Sequence, residues 1–164
     1  MTKALLMDPT KCRGCRRCEL ACSFAKEGEF DYQLSRIHVV IPSDFTYPVQ
    51  IVCQHCDVPL CLFACPVNAI TKNNENGAVI LDAEKCIGCL SCYIACPLGG
   101  ISLHPVKKLP IKCDLCGGDP QCVAECPYEA LVFVELTESL YPKKLESVEF
   151  TFKEFGKLLF ARGA

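Results

Sequence analysis

The hydrophobic pattern of this 164-residue chain consists of short apolar runs separated by polar segments that contain cysteine. Each run is three to five residues long, the length of a strand. None approaches the roughly 18 uninterrupted apolar residues that a membrane span needs. The predicted strands lie at 4–7, 37–41, 49–52, 69–71, 78–81, 101–103 and 130–134.

Turn signals between these runs predict how the strands pair. A polar turn ending in Asn76-Gly77 separates the runs at 69–71 and 78–81, which is typical of a β-hairpin. We expect two further strand pairs to enclose this hairpin: 49–52 with 101–103, and 4–7 with 130–134. The long gap at 23–52, with its strand at 37–41 closed by Pro42, is expected to cover the outer part.

The segment after Glu135 contains no cysteine. We expect a loop through 142–144 and then a helix in which Thr151 and Glu154 form a capping box. Its apolar side chains would share one face: Phe152, Phe155, Leu158 and Leu159. A helix of about three turns is marginal alone in water, so this face must be buried. Residues 136–164 are therefore predicted to dock on another subunit, with packing on the same domain as the alternative.

Sixteen cysteines in a chain of this length point to a disulfide scaffold or a metal protein. The first and third sets have the spacing C-x2-C-x2-C-x3-C, and the second and fourth differ only by a longer middle gap. Four imperfect copies of one motif form an internal repeat. The sets are Cys12, Cys15, Cys18, Cys22; Cys53, Cys56, Cys61, Cys65; Cys86, Cys89, Cys92, Cys96; and Cys113, Cys116, Cys122, Cys126.

This spacing suits a four-iron, four-sulfur cube. The first three thiolates of a set can each reach a different iron of one cube, and the fourth then starts a short helix that leads to a neighbouring cube. Gly14 and Gly88 allow the tight turn and direct backbone N–H groups at the cluster. Proline follows the last cysteine in three of the sets and fixes the direction in which the chain leaves, whereas Ser23 follows Cys22.

Two other uses of the cysteines are disfavoured. Zinc knuckles use C-x2-C pairs separated by longer stretches, not three thiols within seven residues followed by a fourth. A disulfide scaffold belongs to secreted proteins, and the first nine residues carry too short an apolar stretch for a signal peptide. Arg16-Arg17 lacks the apolar segment of a twin-arginine signal. We therefore expect a cytoplasmic protein without a membrane span, and its net charge of −2 argues against nucleic-acid binding.

Together the motifs resemble the four-cluster ferredoxin subunits of the dimethyl sulfoxide reductase type. The residues that carry the resemblance are the first set, Cys53-Gln54-His55-Cys56-Asp57, and Lys112-Cys113-Asp114-Leu115-Cys116 with Cys122 and Cys126-Pro127. Within that group the chain is most similar to the short members that accompany tungsten aldehyde oxidoreductases and carbon monoxide dehydrogenases. The resemblance covers residues 4–135.

The resemblance implies an α+β fold of two nested bacterial-ferredoxin-like modules with a C-terminal extension. Residues 1–135 would form the double ferredoxin-like domain, with an inner module at about 49–104 and an outer module at about 4–48 plus 105–135. It also implies four 4Fe-4S clusters with crossed ligands. Their ligand sets would be Cys12, Cys15, Cys18 with Cys126; Cys113, Cys116, Cys122 with Cys22; Cys53, Cys56, Cys61 with Cys96; and Cys86, Cys89, Cys92 with Cys65.

The implied function is relay of single electrons between a catalytic oxidoreductase subunit, of tungsten or molybdenum pterin type, and a flavin subunit, ferredoxin or other carrier. One alternative is a self-associating conductive polyferredoxin assembly. A freestanding iron-sulfur enzyme is disfavoured because all four cysteine sets are complete, and we predict no catalytic residue. His55 is expected to tune a cluster through hydrogen bonding, and His38 and His104 to have ordinary hydrogen-bonded roles. The basic group Lys11, Arg13, Arg16 and Arg17 is a candidate docking face.

Overall fold

The computed structural model describes residues 2–41 and 47–160, with side chains of the last helix described as far as residue 153. Within these ranges the chain forms strands, helices, one 3-10 turn and one kinked turn with non-helical backbone at Cys116 and Gly117, and all but two of these elements are short. In chain order they are β1 Lys3–Met7, α1 Arg17–Glu27, a turn at Tyr32–Leu34, β2 Ile37–Val40, β3 Val49–Val52, α2 Leu60–Phe63, β4 Ile70–Lys72, β5 Val79–Leu81, α3 Ser91–Ala95, β6 Ile101–Leu103, β7 Pro110–Lys112, a turn at Leu115–Gly118, α4 Gln121–Ala124, β8 Leu131–Glu135 and α5 Tyr141–Phe160.

Proline limits the length of the helices that precede the last cysteine of a set. Cys65, Cys96 and Cys126 each precede a proline, and the helices before them have only four or five residues. A residue before proline is kept out of the helical region, and Cys96 accordingly has φ −84° and ψ 108°. No proline follows Cys22, so α1 continues past it to a total length of 11 residues and ends where Gly28 takes a left-handed φ of 75°.

The enclosing strand pair and the central hairpin are both confirmed. β1 pairs antiparallel with β8, from Lys3 opposite Glu135 to Met7 opposite Leu131, so the two ends of the cysteine-rich region lie side by side. β4 pairs antiparallel with β5 as the turn at Asn76-Gly77 predicted. The mixed helix and strand content is that of a small ferredoxin-like fold.

The predicted pairing of 49–52 with 101–103 is wrong. β3 pairs instead with β2, and β6 pairs with β7. The two runs do lie close together, because a Cβ atom on Gly100 would stand 2.7 Å from the Cys53 Cα. The backbones therefore approach each other closely at Gly100, while each strand forms its hydrogen-bonded ladder with a different partner.

Two hydrophobic clusters form the core, and each contains cysteines. The larger one joins β1, β2 and β8 through Leu5, Ile37 and Leu131, and includes the buried Cys18, Cys22 and Cys122. The smaller one joins β4, β5 and β6 through Ile70, Val79 and Ile101, and includes Cys92 with Cys61, Cys65 and Cys96 at its edge. Six of the eight cysteines of sets one and four thus lie in or against one core, and four of the eight cysteines of sets two and three lie in or against the other.

The predicted start of the C-terminal helix is also wrong. The helix α5 begins at Tyr141, so residues 142–144 are its first turn and not a loop. Proline is favoured in that turn because its missing N–H would have no intrahelical acceptor there. Thr151 therefore lies inside the helix, where its hydroxyl donates to the Ser147 carbonyl at 2.9 Å, and does not cap an N-terminus. The side chains of Glu154, Phe155, Leu158 and Leu159 lie outside the described residues.

The described half of α5 packs against β1 and β3 with a polar face. Lys144, Ser147 and Thr151 are buried at helical spacing, and Tyr141 donates a hydrogen bond to the Asp57 carboxylate at 2.7 Å. Leu145 and Phe152 remain 52% and 58% exposed. Part of the extension therefore does pack on its own domain, where the Phe150 ring contacts the Tyr47 ring with their centroids 6.4 Å apart, while Leu145 and Phe152 stay exposed.

Candidate iron-sulfur sites

Each cysteine set begins with the same backbone turn. The second residue between the first two cysteines has a left-handed φ in all four sets: 66° at Gly14, 46° at His55, 69° at Gly88 and 59° at Leu115. Non-glycine residues rarely adopt this conformation, so the surrounding structure must hold His55 and Leu115 in it. The repeat seen in the sequence is thus also a repeat of conformation.

Backbone N–H groups point at the cysteine sulfurs. The donors fall two residues after the first cysteine of a set or four residues after the last, with Arg36 as an exception that reaches Cys22 from the loop before β2. Such bonds stabilise a thiolate and tune a bound cluster. The N···Sγ distances are 3.4 Å for His55 to Cys53, 3.4 Å for Leu115 to Cys113, 3.2 Å for Ala69 to Cys65, 3.3 Å for Gly100 to Cys96 and 3.3 Å for Arg36 to Cys22.

The fold brings cysteines from different sets together. One cavity is lined by Cys12, Cys15 and Cys18 with Cys126 from the fourth set. A second cavity is lined by Cys53, Cys56 and Cys61 with Cys96 from the third set. No disulfide joins any two of the 16 cysteines.

The remaining cysteines are also close across sets. Burial is the main cause that raises the pKa of the Cys113 and Cys122 thiols. Cys22 lies close enough to both for its charge to raise them further. Cys65 acts in the same direction on Cys92. Cys22 and Cys65 thus lie near the groups to which the resemblance assigned them, and the complete ligand sets stay a prediction.

Burial opposes a negative charge on these sulfurs. It raises the pKa of the Cys18 thiol to about 12 and that of Cys61 to about 11, since a buried thiolate loses its hydration. Bound iron supplies the compensating positive charge, and metal binding to such sites therefore releases protons.

An unpaired donor in the first cavity also fits an anionic cluster. Gln50 is only 2% exposed and lines the cavity with Cys12 and Cys126. Burial raises the pKa of the Cys12 thiol and the nearby Gln50 side chain opposes that rise, although the Gln50 amide nitrogen forms no hydrogen bond of good geometry. A buried donor without an acceptor is unfavourable, and a cluster sulfide would accept from it. Among the side chains that the structure describes, no three of His, Cys, Asp or Glu converge as ligands of one metal ion. A cubane requires a different arrangement, in which each thiolate meets its own iron.

The three histidines have hydrogen-bonded roles. His55 Nδ1 accepts from the Val79 N–H at 2.9 Å, and burial lowers its pKa to about 3, so the ring is neutral with its proton on Nε2. His38 Nε2 lies 2.7 Å from the Ser102 hydroxyl. His104 Nδ1 accepts from two backbone N–H groups of its own turn, both at 3.2 Å. The ordinary roles predicted for His38 and His104 are confirmed, whereas tuning by His55 stays a prediction.

Half of the candidate basic docking face is engaged within the chain. Arg16 pairs with the buried Glu19 at 2.5 Å and stacks on the Tyr32 ring at 3.8 Å. Arg17 pairs with Glu125 at 2.7 Å. Lys11 and Arg13 are exposed and form no ion pair within the part of the chain that the structure describes.

Sequence reasoning missed two residues at these cavities, Gln50 and Lys112. Gln50 lies in β3 and lines the first cavity, and the pairing of β3 with β2 is a contact that the sequence did not predict. Lys112 is 7% exposed and lines the second cavity. The signal available was a lysine directly before the first cysteine of three sets, at Lys11, Lys85 and Lys112, but burial distinguishes only the last of these.

Four cysteine groups in repeated turns, with amides directed at their sulfurs, define the site of an iron-sulfur protein of ferredoxin type. The chain belongs to the 4Fe-4S dicluster domain family, whose profile matches residues 45–136 and so includes the last three cysteine sets. A 4Fe-4S binding domain profile matches residues 9–25, which hold the first set. Multiple 4Fe-4S clusters are therefore the cofactors of this chain.

Relatives of the chain are iron-sulfur subunits of oxidoreductases. It is 42% identical over 125 residues to the aliphatic sulfonate oxidoreductase polyferredoxin-like subunit of Pyrococcus furiosus, covering 74% of this chain and 70% of the relative. It is 35% identical over 150 residues to the B subunit of anaerobic dimethyl sulfoxide reductase from Escherichia coli K12, covering 80% of this chain and 73% of the relative. The resemblance to subunits of the dimethyl sulfoxide reductase type is confirmed.

Larger proteins contain the same region. The chain is 37% identical over 140 residues to NADH-dependent phenylglyoxylate dehydrogenase subunit beta of Aromatoleum evansii, covering 84% of this chain but only 31% of that relative. Its fold matches a chain in the active site complex BamBC of benzoyl coenzyme A reductase with benzoyl-CoA, with a TM-score of 0.51, 25% identity and 96% of each chain covered. In the described part of the present chain, no helix is long and apolar enough to cross a membrane.

Proposed function

We propose that the chain carries four 4Fe-4S clusters and relays single electrons between a catalytic oxidoreductase subunit and a second redox carrier. When bound, such clusters accept and release one electron at a time. The four ligand groups proposed are those implied by the resemblance, each completed by a cysteine of another set. The observation that carries this assignment is the lining of two cavities by cysteines of two sets each, with Cys126 in one and Cys96 in the other.

Helix packing supports the nested two-module arrangement, with an inner module at about 49–104 inside an outer one. α1, which holds Cys18 and Cys22, packs on α4 of the fourth set. α2 packs on α3, and so joins the second and third sets. Each proposed module thus contains two sets whose helices are in contact.

The positions of the cysteines also support a linear order of clusters. Cys18 lies within electrostatic reach of Cys122, and Cys113 within reach of Cys53. If each cluster is named by the set that supplies its first three ligands, the clusters would then follow the order set one, set four, set two and set three. Cys15 and Cys89 are the two cysteines that are exposed, and they belong to the first and last groups of this order. Both ends of the relay would therefore be accessible to partners.

Cluster content tests the relay directly. Anaerobically purified protein is expected to contain roughly 16 irons and 16 acid-labile sulfides per chain. Stoichiometric zinc, or about half that iron in fully loaded protein, would contradict the proposal.

The proposed partner is a catalytic subunit of tungsten or molybdenum pterin type, with a flavin subunit or ferredoxin as the other carrier. The names of the relatives, which include subunits of sulfonate and dimethyl sulfoxide oxidoreductases, support an oxidoreductase complex. A cytoplasmic location belongs to the same proposal. Identification of a large subunit that co-purifies with the chain, and of its metal, tests the partner class.

The extension at 136–164 is proposed to dock on this catalytic subunit. Its helix α5 turns polar residues to its own domain and exposes Leu145 and Phe152, which lie seven residues apart on one face. Exposed apolar residues on a helix that already packs by its other face mark an interface. Association with another copy of the chain is the alternative occupant.

A double substitution tests the docking proposal. Leu145→Glu with Phe152→Glu should abolish co-purification with the large subunit while the iron content stays unchanged. Lys153→Glu is the matched control, because Lys153 is exposed on the same helix and the substitution changes the charge by the same amount. Undiminished complex formation by the double variant would contradict docking, and conversion of an oligomer to a monomer would assign the face to self-association.

A further inference from the structure

A buried lysine lies at the junction of the two proposed modules. Lys112 ends β7 and is 7% exposed. Its ammonium group donates to the Val79 carbonyl of the inner hairpin and to the Cys113 carbonyl, the latter at 3.2 Å. Both acceptors are neutral, and Lys112 takes part in no ion pair within the described residues. A cation in such a place is costly unless an anion lies nearby.

The surroundings of Lys112 identify where that anion would be. Lys112 lines the cavity formed by Cys53, Cys56, Cys61 and Cys96. In sequence it directly precedes Cys113, the first ligand of the neighbouring group. Because its ammonium group donates to the Cys113 carbonyl while its side chain lines the cavity that contains Cys61, Lys112 lies beside both groups.

Lys112 differs from the lysines at equivalent positions of the other sets. Lys85 directly precedes Cys86, but its side chain is 63% exposed and paired with Asp82 at 3.2 Å. Lys11 precedes Cys12 and is exposed. Solvent screens both of these charges, whereas a buried charge acts at low effective dielectric.

We propose that Lys112 is the shared counter-charge of two clusters, the one held by Cys53, Cys56, Cys61 and Cys96 and the one built on Cys113, Cys116 and Cys122. This proposal rests on the proposed four-cluster relay. Reduction adds one negative charge to a cluster, and a fixed buried cation stabilises that charge. Lys112 therefore raises the reduction potentials of these two middle clusters relative to those of the two end clusters. Its charge therefore favours the residence of electrons on the two clusters at the module junction.

Redox titration monitored by electron paramagnetic resonance tests this role on the anaerobically purified full chain. Lys112→Gln, which keeps a hydrogen-bond donor without the charge, should lower two of the four midpoint potentials and leave the other two in place. Lys112→Arg should keep all four close to their original values. The control Lys85→Gln, at the equivalent position of the third set, should change none.

The titration and the iron content of the variants together decide whether Lys112 is the counter-charge. Four unchanged potentials in Lys112→Gln, or equal shifts in all four, would overturn the role of Lys112. If Lys112→Gln does not load its full iron, the loading of the two variants decides. Loss of only the two middle clusters, together with full loading of Lys112→Arg, supports a requirement for the positive charge. Equal loss in both variants overturns that requirement. Fewer than four clusters in the unsubstituted protein would instead overturn the proposed relay itself.

Discussion

The outer and inner pairs of cysteine sets use one motif but are stabilised in different ways. In the outer pair, α1 is long and is tied to the fourth set by ion pairs, Arg17 with Glu125 and Lys26 with Asp114, both at 2.7 Å. In the inner pair, α2 and α3 are short, and within the described residues no ion pair or side-chain hydrogen bond joins them. Their exposed side chains are largely apolar: Leu60, Phe63, Tyr93 and Ile94.

This difference shows which features the cluster fold requires and which can vary. The left-handed turn and the amide donors recur in both pairs, so they belong to the way the chain holds a cluster. The outer pair adds charged contacts that span its two sets, whereas the inner pair depends on close backbone packing. We therefore expect the inner pair to be sensitive to steric changes and the outer pair to charge and salt.

The largest expected effect is steric. In Gly100→Ala the new Cβ would meet Cys53 backbone atoms at 2.7 and 2.9 Å, and backbone cannot yield as a side chain can. We expect a loss of about 3 kcal/mol of stability, measured as earlier thermal bleaching of the cluster absorption. Gly28→Ala is the comparison: it has no atom within 4 Å of the new Cβ and only its positive φ opposes the change, so it should cost about 1 kcal/mol. Equal effects would contradict the packing account.

Removal of a charge from the outer pair should have a smaller effect. Lys26→Met breaks the ion pair between Lys26 of α1 and Asp114, whose side chains are 22% and 38% exposed respectively. The loss should lower the free energy of unfolding by about 1 kcal/mol at low salt. The difference from the unsubstituted protein should shrink in about 1 M salt because the charges are screened. Lys85→Met removes an exposed lysine beside the inner pair and should have almost no effect. A difference that is independent of salt would contradict the electrostatic contribution.

The smallest expected effect concerns an ion pair within the outer pair. Glu27 of α1 accepts from Arg36 and lies 3.7 Å from His104, and the bond from Arg36 lowers its pKa. Because the folded pKa is depressed, this stabilisation is complete above the unfolded value of about 4.3 and is lost as pH falls through the folded pKa. Glu27→Gln should cost about 0.5 kcal/mol at neutral pH, and thermal melts should show the difference vanish in acid.

The exposed carboxylate of Glu138 provides the control for that measurement. Glu138→Gln should leave the thermal midpoint unchanged at both pH values. A cost for Glu27→Gln that persists unchanged in acid would show that the ion pair is not its cause.

The turn residues between the apolar runs and the nested order of the cysteine sets made much of this architecture predictable. The β1–β8 pair follows from the order of the sets, and the β4–β5 hairpin follows from Asn76-Gly77. The partner of β3 was not predictable, because the sequence between 41 and 48 carries no short hairpin signal. The start of α5 was missed because Pro142 was interpreted as part of a loop, although proline suits a first helical turn.

The candidate ligands could all be identified from sequence, whereas their electrostatic surroundings could not. Cysteine spacing identifies thiolates without knowledge of the fold. The roles inferred for Gln50 and Lys112 depend on burial and on which strand lies against a cavity, and both are products of tertiary packing. Nothing in the local sequence distinguishes Lys112 from Lys85, although the fold buries one and exposes the other.

The iron content of paired cysteine variants tests the crossed ligand arrangement most directly. If Cys15 and Cys126 hold the same cluster, Cys15→Ala with Cys126→Ala should lose no more iron than either single variant, and should keep roughly 12 of about 16 irons. Cys116→Ala with Cys126→Ala should lose two clusters and keep roughly 8 irons. The reverse result, with two clusters lost in the first double variant and one in the second, would show that each set holds its own cluster and would contradict the nested account.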